Sequence, residues 1–144
     1  MKLLKMLMVP FSRWNARKYK RTNGRKCGKL FDIDLCVITV KGRKSKELYD
    51  IPIIHIPYKN GVILVASQGG APHNPQWYYN LINNPKLYIQ IKGEIKLYTA
   101  KLATDSERGW LWPLCVLTYP GYAAYQARTN RQIPLFICEP MEYL

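Results

Sequence analysis

Short apolar segments separated by turn residues are the feature that most constrains the fold of this chain. The segments are rich in Val, Ile and Leu, are of strand length, and cover residues 35–40, 48–56, 62–66, 87–91, 95–102 and 133–138. Asn60-Gly61 and Lys92-Gly93-Glu94 are typical of hairpin turns between two such strands. Pro52 favours an edge or a bulge in the second segment. The pattern predicts a mainly β (α+β) protein with about six antiparallel strands in a barrel and peripheral helices.

Three short helices are predicted between these strands. Asn74 is a candidate N-cap with Pro75 at the first helical position, and Asn83-Asn84-Pro85 ends that helix. Thr104 and Glu107 have the spacing of a capping box, which predicts a helix after Thr104. One side of that helix would carry Trp110, Leu111, Leu114, Cys115 and Thr118. Pro120 would start a further short helix.

The first 20 residues differ in pattern from the rest of the chain. Residues 2–20 have helical apolar spacing, interrupted at Pro10, with the basic residues largely on the other side. The sequence therefore predicts a basic amphipathic helix over 1–20 and a single domain over 21–144. Such a helix either lies on a membrane surface or packs on the domain.

Charge is distributed very unevenly along the chain. Of the 22 Lys and Arg residues, 14 lie in residues 1–46, where the only acidic residues are Asp32 and Asp34. A field this one-sided indicates an anionic partner: phospholipid, nucleic acid or a polyanionic ligand. A merely solvated basic face is the alternative. Nucleic acid is disfavoured because the aromatic residues lie mostly away from the basic third.

The cysteine, histidine and hydropathy patterns argue against a disulfide-bonded, metal-binding or membrane-spanning protein. The cysteines have no CxxC spacing, so buried free thiols are expected at Cys27, Cys36, Cys115 and Cys138. With only His55 and His73 available, no metal site is expected. No apolar stretch reaches the roughly 18 residues that span a bilayer. The first ten residues do not form a secretory signal, so a cytoplasmic location is the default expectation.

The turn formed by Ser67, Gln68, Gly69, Gly70 and Ala71 is the first candidate site. It lies between a predicted buried strand and a predicted helix. Paired glycines allow positive φ and let backbone amides approach a ligand closely, and Ser67 and Gln68 can hydrogen-bond a heterocycle. The alternative is an ordinary turn without a ligand, since paired glycines are common in such turns as well.

Two further segments offer ligand contacts. Arg43, Lys44 and Ser45 on a tight turn suit a phosphate group, although exposed basic turns are common. One helical turn brings Trp77 and Asn80 to a common side, which offers a stacking surface and an amide. A core tryptophan with a capping amide is the alternative.

Three tyrosines spaced by three residues form the fourth segment. Tyr119, Tyr122 and Tyr125 would line one side of a short helix, with small residues between them. A phenol stays protonated at neutral pH and can donate to a carbonyl or nitro oxygen. An aromatic core cluster is the alternative. Because no acid pair, catalytic triad or metal constellation accompanies these segments, redox chemistry would have to come from a bound cofactor.

Taken together and in order, these segments resemble the deazaflavin-dependent nitroreductase and quinone reductase family, relatives of the split β-barrel flavin reductases. The similar text runs from about residue 17 to 140: Gly42 to Ser45, Pro52, Val65 to Ala71, Pro75 to Leu81, Asn84-Pro85, Tyr119 to Tyr125, Thr129 to Pro134 and Glu139-Pro140. Each segment alone is a weak signal for the family, whereas the complete set in this order is specific for it.

The resemblance implies an FMN-binding-like split β-barrel that binds coenzyme F420 and transfers a hydride from the reduced deazaflavin to a quinone or nitro acceptor. Carried over by position, it implies coenzyme contacts at Arg43, Lys44, Ser45, Pro52, Ser67, Gln68, Gly69, Gly70, Ala71, Trp77 and Asn80. It implies catalytic or substrate-side roles for Ser67, Tyr119, Tyr122 and Tyr125. The coenzyme's phosphodiester and oligoglutamate tail would be a ligand for the basic N-terminal third.

This chain departs from the family pattern at the basic turn, with Lys46 and Tyr49 where family members usually have glycine and arginine. Lys41 or Lys46 would then replace a phosphate contact. The alternative function is a split-barrel protein that binds FMN, FAD or another planar ligand, or a membrane or polyanion-binding module without catalysis. We further expect a monomer or homodimer, and peripheral contact with the inner face of the membrane through residues 1–20.

Overall fold

The computed structural model describes residues 14–142. Residues 14–22 are helical and are called α1. Eight strands follow: β1 (Lys29–Leu30), β2 (Ile33–Lys41), β3 (Leu48–Ile54), β4 (Ile56–Tyr58), β5 (Gly61–Val65), β6 (Lys86–Ile91), β7 (Glu94–Leu102) and β8 (Leu135–Pro140). Three more helices are α2 (Gln76–Asn83), α3 (Asp105–Thr118) and α4 (Gly121–Ala127), and a short 3₁₀ turn covers Gln68–Gly70.

The strands form one antiparallel sheet that curls into a half-barrel. Its order is β1-β2-β6-β7-β8-β5-β4, and β3 pairs with β2. The predicted strand 48–56 is divided at His55, whose backbone N–H donates to the carbonyl of Asp34 at 2.9 Å. Because His55 alone joins β3 to β4, the chain crosses directly between two strands that lie far apart in the sheet order, which requires the sheet to curl. The predicted mainly β class with peripheral helices is confirmed.

Alternation along the strands separates two apolar layers. Inward-facing side chains such as Ile38, Leu64 and Phe136 form the barrel core, which α2 closes with Leu81. The opposite face of β5 and β8 is covered by α3 and α4, around residues such as Ile63. Burial of these two layers supplies most of the driving force for the fold.

Helix α1 packs on the outside of β2. Ala16 and Tyr19 are buried against Val37, and the Tyr19 hydroxyl accepts a 2.6 Å hydrogen bond from the backbone N–H of Lys92. The described part of the predicted helix, residues 14–20, therefore packs on the domain and continues to residue 22; residues 1–13, which include Pro10, lie outside the described residues. No helix within residues 14–142 is long and apolar enough to span a bilayer.

Two of the predicted helix starts have different outcomes. The capping box is confirmed, because Thr104 Oγ1 accepts from the Glu107 N–H and Glu107 Oε1 accepts from the Thr104 N–H. The N-cap at Asn74 is wrong: Pro75 is the N-cap of α2, and the Asn74 side chain accepts a hydrogen bond from Arg131 instead.

All four cysteines are free thiols, as the sequence predicts. Cys36, Cys115 and Cys138 are buried, whereas Cys27 is half-buried. Desolvation raises the pKa of Cys36 and of Cys115 to about 12. These thiols therefore behave as small apolar core residues rather than as nucleophiles.

Candidate functional site

The turn after β5 has an unusual backbone. Gln68, Gly69 and Gly70 all have positive φ, at 45°, 62° and 79°. The left-handed region costs an L-residue such as Gln68 about 1–2 kcal/mol, whereas glycine adopts it freely. Inside the turn the Gly70 N–H donates to the Ser67 carbonyl at 2.9 Å, and the Ala71 N–H donates to the Gln68 carbonyl at 3.0 Å. A strained turn of this kind persists only where its surroundings hold it.

The two glycines face different surroundings. A Cβ atom added at Gly70 would lie 2.5 Å from the carbonyl oxygen of Tyr125, so this residue is pressed against α4. A Cβ atom added at Gly69 would meet no atom within 4 Å. The Ser67 Oγ atom, the Gln68 side chain and the N–H groups of Gln68 and Gly69 form no hydrogen bond within residues 14–142. The turn therefore has a packed side at Gly70 and an open, polar side at Gly69.

Arg131 holds this turn from the packed side. Its guanidinium donates to the carbonyls of Ala71 (2.8 Å), Ala66 (3.1 Å) and Ser67 (2.6 Å), and to Asn74 Oδ1 (2.7 Å). Partial burial lowers the pKa of Arg131 from its ordinary value, but an arginine remains charged at neutral pH. These are charge-assisted hydrogen bonds, each worth about 1.5–3 kcal/mol. Together they outweigh the strain of the left-handed turn.

The tyrosines form the neighbouring wall of the site. Tyr119 is the C-cap of α3, and its hydroxyl lies 3.0 Å from that of Tyr125 on α4. Tyr122 is only 3% exposed and packs in the outer apolar layer, with its ring edge-to-face with that of Tyr119 at a centroid distance of 4.9 Å. The three rings contact one another, with centroid distances of 4.9, 5.9 and 6.2 Å, but only Tyr122 and Tyr125 lie on α4, and Tyr122 is buried as the alternative of an aromatic core cluster predicts. Tyr119 and Tyr125 are both half-buried and pack against the same layer.

Burial and hydrogen bonding keep the phenols of Tyr119 and Tyr122 protonated. Desolvation, followed by the hydrogen bond to Tyr125, raises the pKa of Tyr119 to about 12. Desolvation also raises the pKa of Tyr122 well above its ordinary value. The Tyr119–Tyr125 pair can therefore donate a hydrogen bond to an oxygen at neutral pH.

The basic turn between β2 and β3 is attached to α2. The Arg43 N–H and one guanidinium nitrogen donate to Asn80 Oδ1 at 3.0 and 2.9 Å, and a second guanidinium nitrogen donates to Gln76 Oε1 at 3.0 Å. Ser45 Oγ lies 2.9 Å from the Tyr49 hydroxyl. Two of the three predicted phosphate contacts, Arg43 and Ser45, thus already have partners in the protein. The exposed Lys44 on the same turn has no ion-pair partner within residues 14–142.

Two other predicted contacts, Trp77 and Asn80, are buried. Trp77 is 8% exposed and its ring lies 5.9 Å from that of Phe136 in the barrel core, and Asn80 is 6% exposed. The expectation that the two offer a stacking surface is therefore wrong, since the helix turns this side inward.

Pro52 lies in the middle of β3, opposite Val37 of β2. In the part of the chain that the structure describes, β2 is the only strand that pairs with β3. The other edge of β3 therefore needs no N–H group at Pro52, and the predicted edge position is confirmed.

Chemically, the site combines unbonded N–H groups, a serine hydroxyl and a pair of phenols around one open turn. Within the described residues 14–142, no three His, Cys, Asp or Glu side chains are grouped to hold a metal ion. His73 is exposed and His55 is half-buried. Such a set can bind and orient a planar heterocycle but carries no redox group of its own. The fold and the site together define a half-barrel protein that can hold a planar ligand.

The chain belongs to the F420H(2)-dependent quinone reductase family, whose model matches residues 11–140. A protein of Mycobacterium tuberculosis (strain H37Rv), which its name places among the F420H(2)-dependent quinone reductases, is 40% identical over 100 residues, covering 69% of this chain and 84% of its own. A solved F420-H2 dependent reductase (FDR-A) is 36% identical with a TM-score of 0.68, covering 73% of this chain and 93% of its own. A second solved structure, described as a domain-swapped dimer, is 31% identical with a TM-score of 0.70, covering 88% and 97%.

These relationships confirm the family, the split-barrel fold and coenzyme F420 as the family's coenzyme. They give no support to FMN or FAD as the alternative cofactor. The open side of the turn at Gly69 fits a planar ring that approaches the backbone closely, because no side chain occupies that space. The residues present therefore fit the coenzyme that the family uses.

Sequence reasoning misses the residues that hold the site. Arg131, Asn74 and Gln126 form hydrogen bonds around the turn, and none of them is a site residue predicted from the sequence. The one available signal is Arg131 within the family-like stretch Thr129 to Pro134, and that signal does not reveal which carbonyls it contacts.

Replacing each glycine of the turn by alanine should separate its two sides. Gly69→Ala should lower the free energy of unfolding by about 1 kcal/mol through left-handed strain alone. Gly70→Ala should lower it by roughly 1–3 kcal/mol more, because the new methyl group overlaps the Tyr125 carbonyl. Urea denaturation followed by tryptophan fluorescence measures both.

Gly109→Ala is the matched control. Gly109 lies in α3 with open space around it, so alanine should leave stability unchanged or raise it slightly. Equal losses for Gly69→Ala and Gly70→Ala would contradict the packed and open sides assigned to the turn.

Proposed function

We propose that the open side of the Ser67–Gly70 turn binds the deazaflavin ring of F420 and that Tyr119 and Tyr125 line the acceptor side. The observation that carries this is the pairing of unbonded donors with open space: the N–H groups of Gln68 and Gly69 lie beside a position where even a methyl group would meet nothing. Gly70 packs on Tyr125, which makes the two walls adjacent. The protein is then a reductase that passes a hydride from the reduced coenzyme to a quinone.

A crystal structure with bound coenzyme tests this assignment directly. The ring should lie within hydrogen-bond distance of Ser67 Oγ or of the Gln68 and Gly69 N–H groups. A ring bound elsewhere on the half-barrel would contradict the proposal.

The protein's part in the reaction is orientation and charge stabilisation. Reduced F420, when bound, supplies the hydride. The turn would hold the ring by hydrogen bonds from the Gln68 and Gly69 N–H groups, which limits the orientations the ring can adopt. The phenol pair would donate to an acceptor oxygen, which gains negative charge when a hydride is added to a quinone. A hydrogen bond aimed at that oxygen is stronger in the transition state than in the ground state.

Within the pair, we assign the outer donor to Tyr125. Either hydroxyl can donate in the 3.0 Å contact, and we assign Tyr119 as the donor because its pKa is the one that is raised. The Tyr125 hydroxyl hydrogen is then left for the acceptor oxygen, and its proton can follow to complete the hydroquinone. Nitro compounds present oxygens of the same kind, so we propose them as a second class of acceptor.

Tyr125→Phe should lower kcat roughly 10- to 100-fold, the loss expected for one donor to a developing oxyanion. The affinity for F420 should stay within about 2-fold of wild type, because the turn keeps its own hydrogen bonds. Steady-state kinetics with a soluble quinone and fluorescence titration with F420 measure the two quantities.

Tyr88→Phe is the control, since Tyr88 is a half-exposed phenol on β6, in a different part of the sheet. Unchanged turnover in Tyr125→Phe would remove that residue from catalysis.

Because the pKa of Tyr119 is raised to about 12, its hydrogen bond to Tyr125 should persist as the pH rises from 7 to 9, well below that value.

For the acidic tail of the coenzyme, we propose the basic turn at residues 42–47. Arg43 and Ser45 are bonded to the protein, so the available cation on this turn is Lys44, with Lys41 and Lys46 on either side. Arg43 then positions the turn on α2. The lysines attract the phosphodiester and the oligoglutamate through solvent, where such contacts are weak and screened by salt.

Lys44→Gln should weaken F420 binding about 2- to 5-fold at low ionic strength and much less at high ionic strength. Lys86→Gln, at an exposed lysine after α2, should leave binding unchanged at both. Fluorescence titration with F420 in low and high salt measures the effect. A loss that persists at high salt would show a direct buried contact rather than a screened one.

We also propose that the basic N-terminal segment contacts the anionic inner face of the membrane, where quinones reside. Arg17 and Arg21 are exposed on α1, and Lys18 lies 4.4 Å from the ring centre of Trp14, which is 55% exposed. Exposed cations beside an exposed tryptophan are typical of a surface that meets lipid headgroups. The four free thiols are consistent with the reducing cytoplasmic side.

Sedimentation with vesicles tests this contact. The protein should sediment with phosphatidylglycerol vesicles at low salt but not with phosphatidylcholine vesicles. The double variant Arg17→Gln with Arg21→Gln should reduce the bound fraction, at about 1 kcal/mol per charge removed. Lys86→Gln should not. Equal sedimentation with both lipids would exclude an electrostatic membrane contact.

A further inference from the structure

The Arg131 guanidinium donates hydrogen bonds to backbone carbonyls at both ends of the Ser67–Gly70 turn. The Ala66 carbonyl precedes the turn, the Ser67 carbonyl belongs to its first residue, the Ala71 carbonyl follows it, and all three accept from one guanidinium. Asn74 Oδ1 accepts a further N–H of the same group at 2.7 Å. A planar guanidinium offers its donors in a fixed fork, so the directions of these carbonyls are fixed relative to one another.

The same arrangement leaves donors on the other side. The N–H groups of Gln68 and Gly69 form no hydrogen bond in the part of the chain that the structure describes. Within the turn, the Ser67 carbonyl accepts from Arg131 and the Gln68 carbonyl accepts from the Ala71 N–H, so the N–H groups of Gln68 and Gly69 are the donors left for a ligand. A deazaflavin edge rich in carbonyl oxygens requires donors of this kind.

Arg131 is itself held in place by α4. Gln126 Nε2 donates to the Arg131 carbonyl at 2.7 Å, and Gln126 Oε1 accepts from the Ile133 N–H at 2.9 Å. Gln126 follows Tyr125 directly in the chain. The turn and the tyrosine wall are therefore connected through one side-chain network.

We propose that Arg131 is a positioning residue, which holds the Ser67–Gly70 turn in its left-handed form so that the Gln68 and Gly69 N–H groups face the coenzyme ring. This inference rests on the proposed ring site. It requires the shape of the guanidinium, since a lysine would keep the charge but could not bind carbonyls on both sides of the turn at once.

Arg131→Lys and Arg131→Gln test the proposal. Both should raise the Kd for F420 at least about 10-fold, as expected when a preorganised site must be ordered on binding. Hydrogen exchange should show the protected Gly70 and Ala71 amides losing at least about 10-fold of their protection, while the amides of β5 keep theirs. Arg25→Lys, at an exposed arginine that also donates to a backbone carbonyl, should change neither quantity.

The outcomes separate the two ideas. Wild-type affinity and wild-type amide protection in Arg131→Lys would overturn the positioning role. Equal loss of protection in the turn and in β5 would also overturn it, since Arg131 would then support the whole fold. If either variant fails to fold, Asn74→Ala removes one guanidinium contact and should give a smaller change of the same kind. Failure of the wild-type protein to bind F420 would reject the ring site, while the exchange result would still report on Arg131.

Discussion

The structure of the site depends on the fork of hydrogen bonds from Arg131 to the backbone around the Ser67–Gly70 turn. A left-handed turn containing Gln68 is unfavourable by itself by about 1–2 kcal/mol. Four charge-assisted hydrogen bonds, within 2.6–3.1 Å, compensate for that strain. Within residues 14–142 no carboxylate pairs with Arg131, and its guanidinium donates to neutral carbonyl and amide oxygens. The positive charge therefore remains beside the turn.

The sheet register brings these groups together. Val65 at the end of β5 pairs with Leu135 at the start of β8, so the residues after β5 lie beside the residues before β8. The Ala66 N–H accordingly donates to the Pro134 carbonyl at 3.0 Å. Arg131 lies three residues before Pro134, within reach of the turn. A one-residue change of register would turn every side chain of the shifted strand to the other face and separate the fork from its acceptors.

Local signals in the sequence predict the elements better than the site. The capping box at Thr104 and the hairpin between β6 and β7 depend on residues a few positions apart, and both are confirmed. The N-cap prediction at Asn74 fails because a distant guanidinium, 57 residues along the chain, competes for its side chain. The stacking surface predicted at Trp77 fails for a similar reason: helical spacing identifies a face but does not say whether the barrel core lies beneath it.

Resemblance to a family identifies the turn proposed for the ring, but it cannot distinguish residues that meet the ligand from residues that hold the site. Arg43 is an example, since its guanidinium binds α2 rather than being free for a phosphate. Tyr49 stands where the family pattern has an arginine, and its hydroxyl forms a hydrogen bond with Ser45 rather than meeting a ligand. Both results require contacts that spacing along the chain does not reveal.

Helix α2 links the two ends of the proposed coenzyme site. Its side chains Gln76 and Asn80 hold Arg43, and the loop just before it is tied through Asn74 to Arg131. The phosphate end is thus placed relative to the ring end by a short rigid helix. The two ends differ in kind: the ring end is fixed by partly buried hydrogen bonds that salt screens little, whereas the lysines of the basic turn are exposed. Discrimination between planar coenzymes should therefore come from the shape of the turn, and the basic turn should contribute mainly to attraction and rate of encounter.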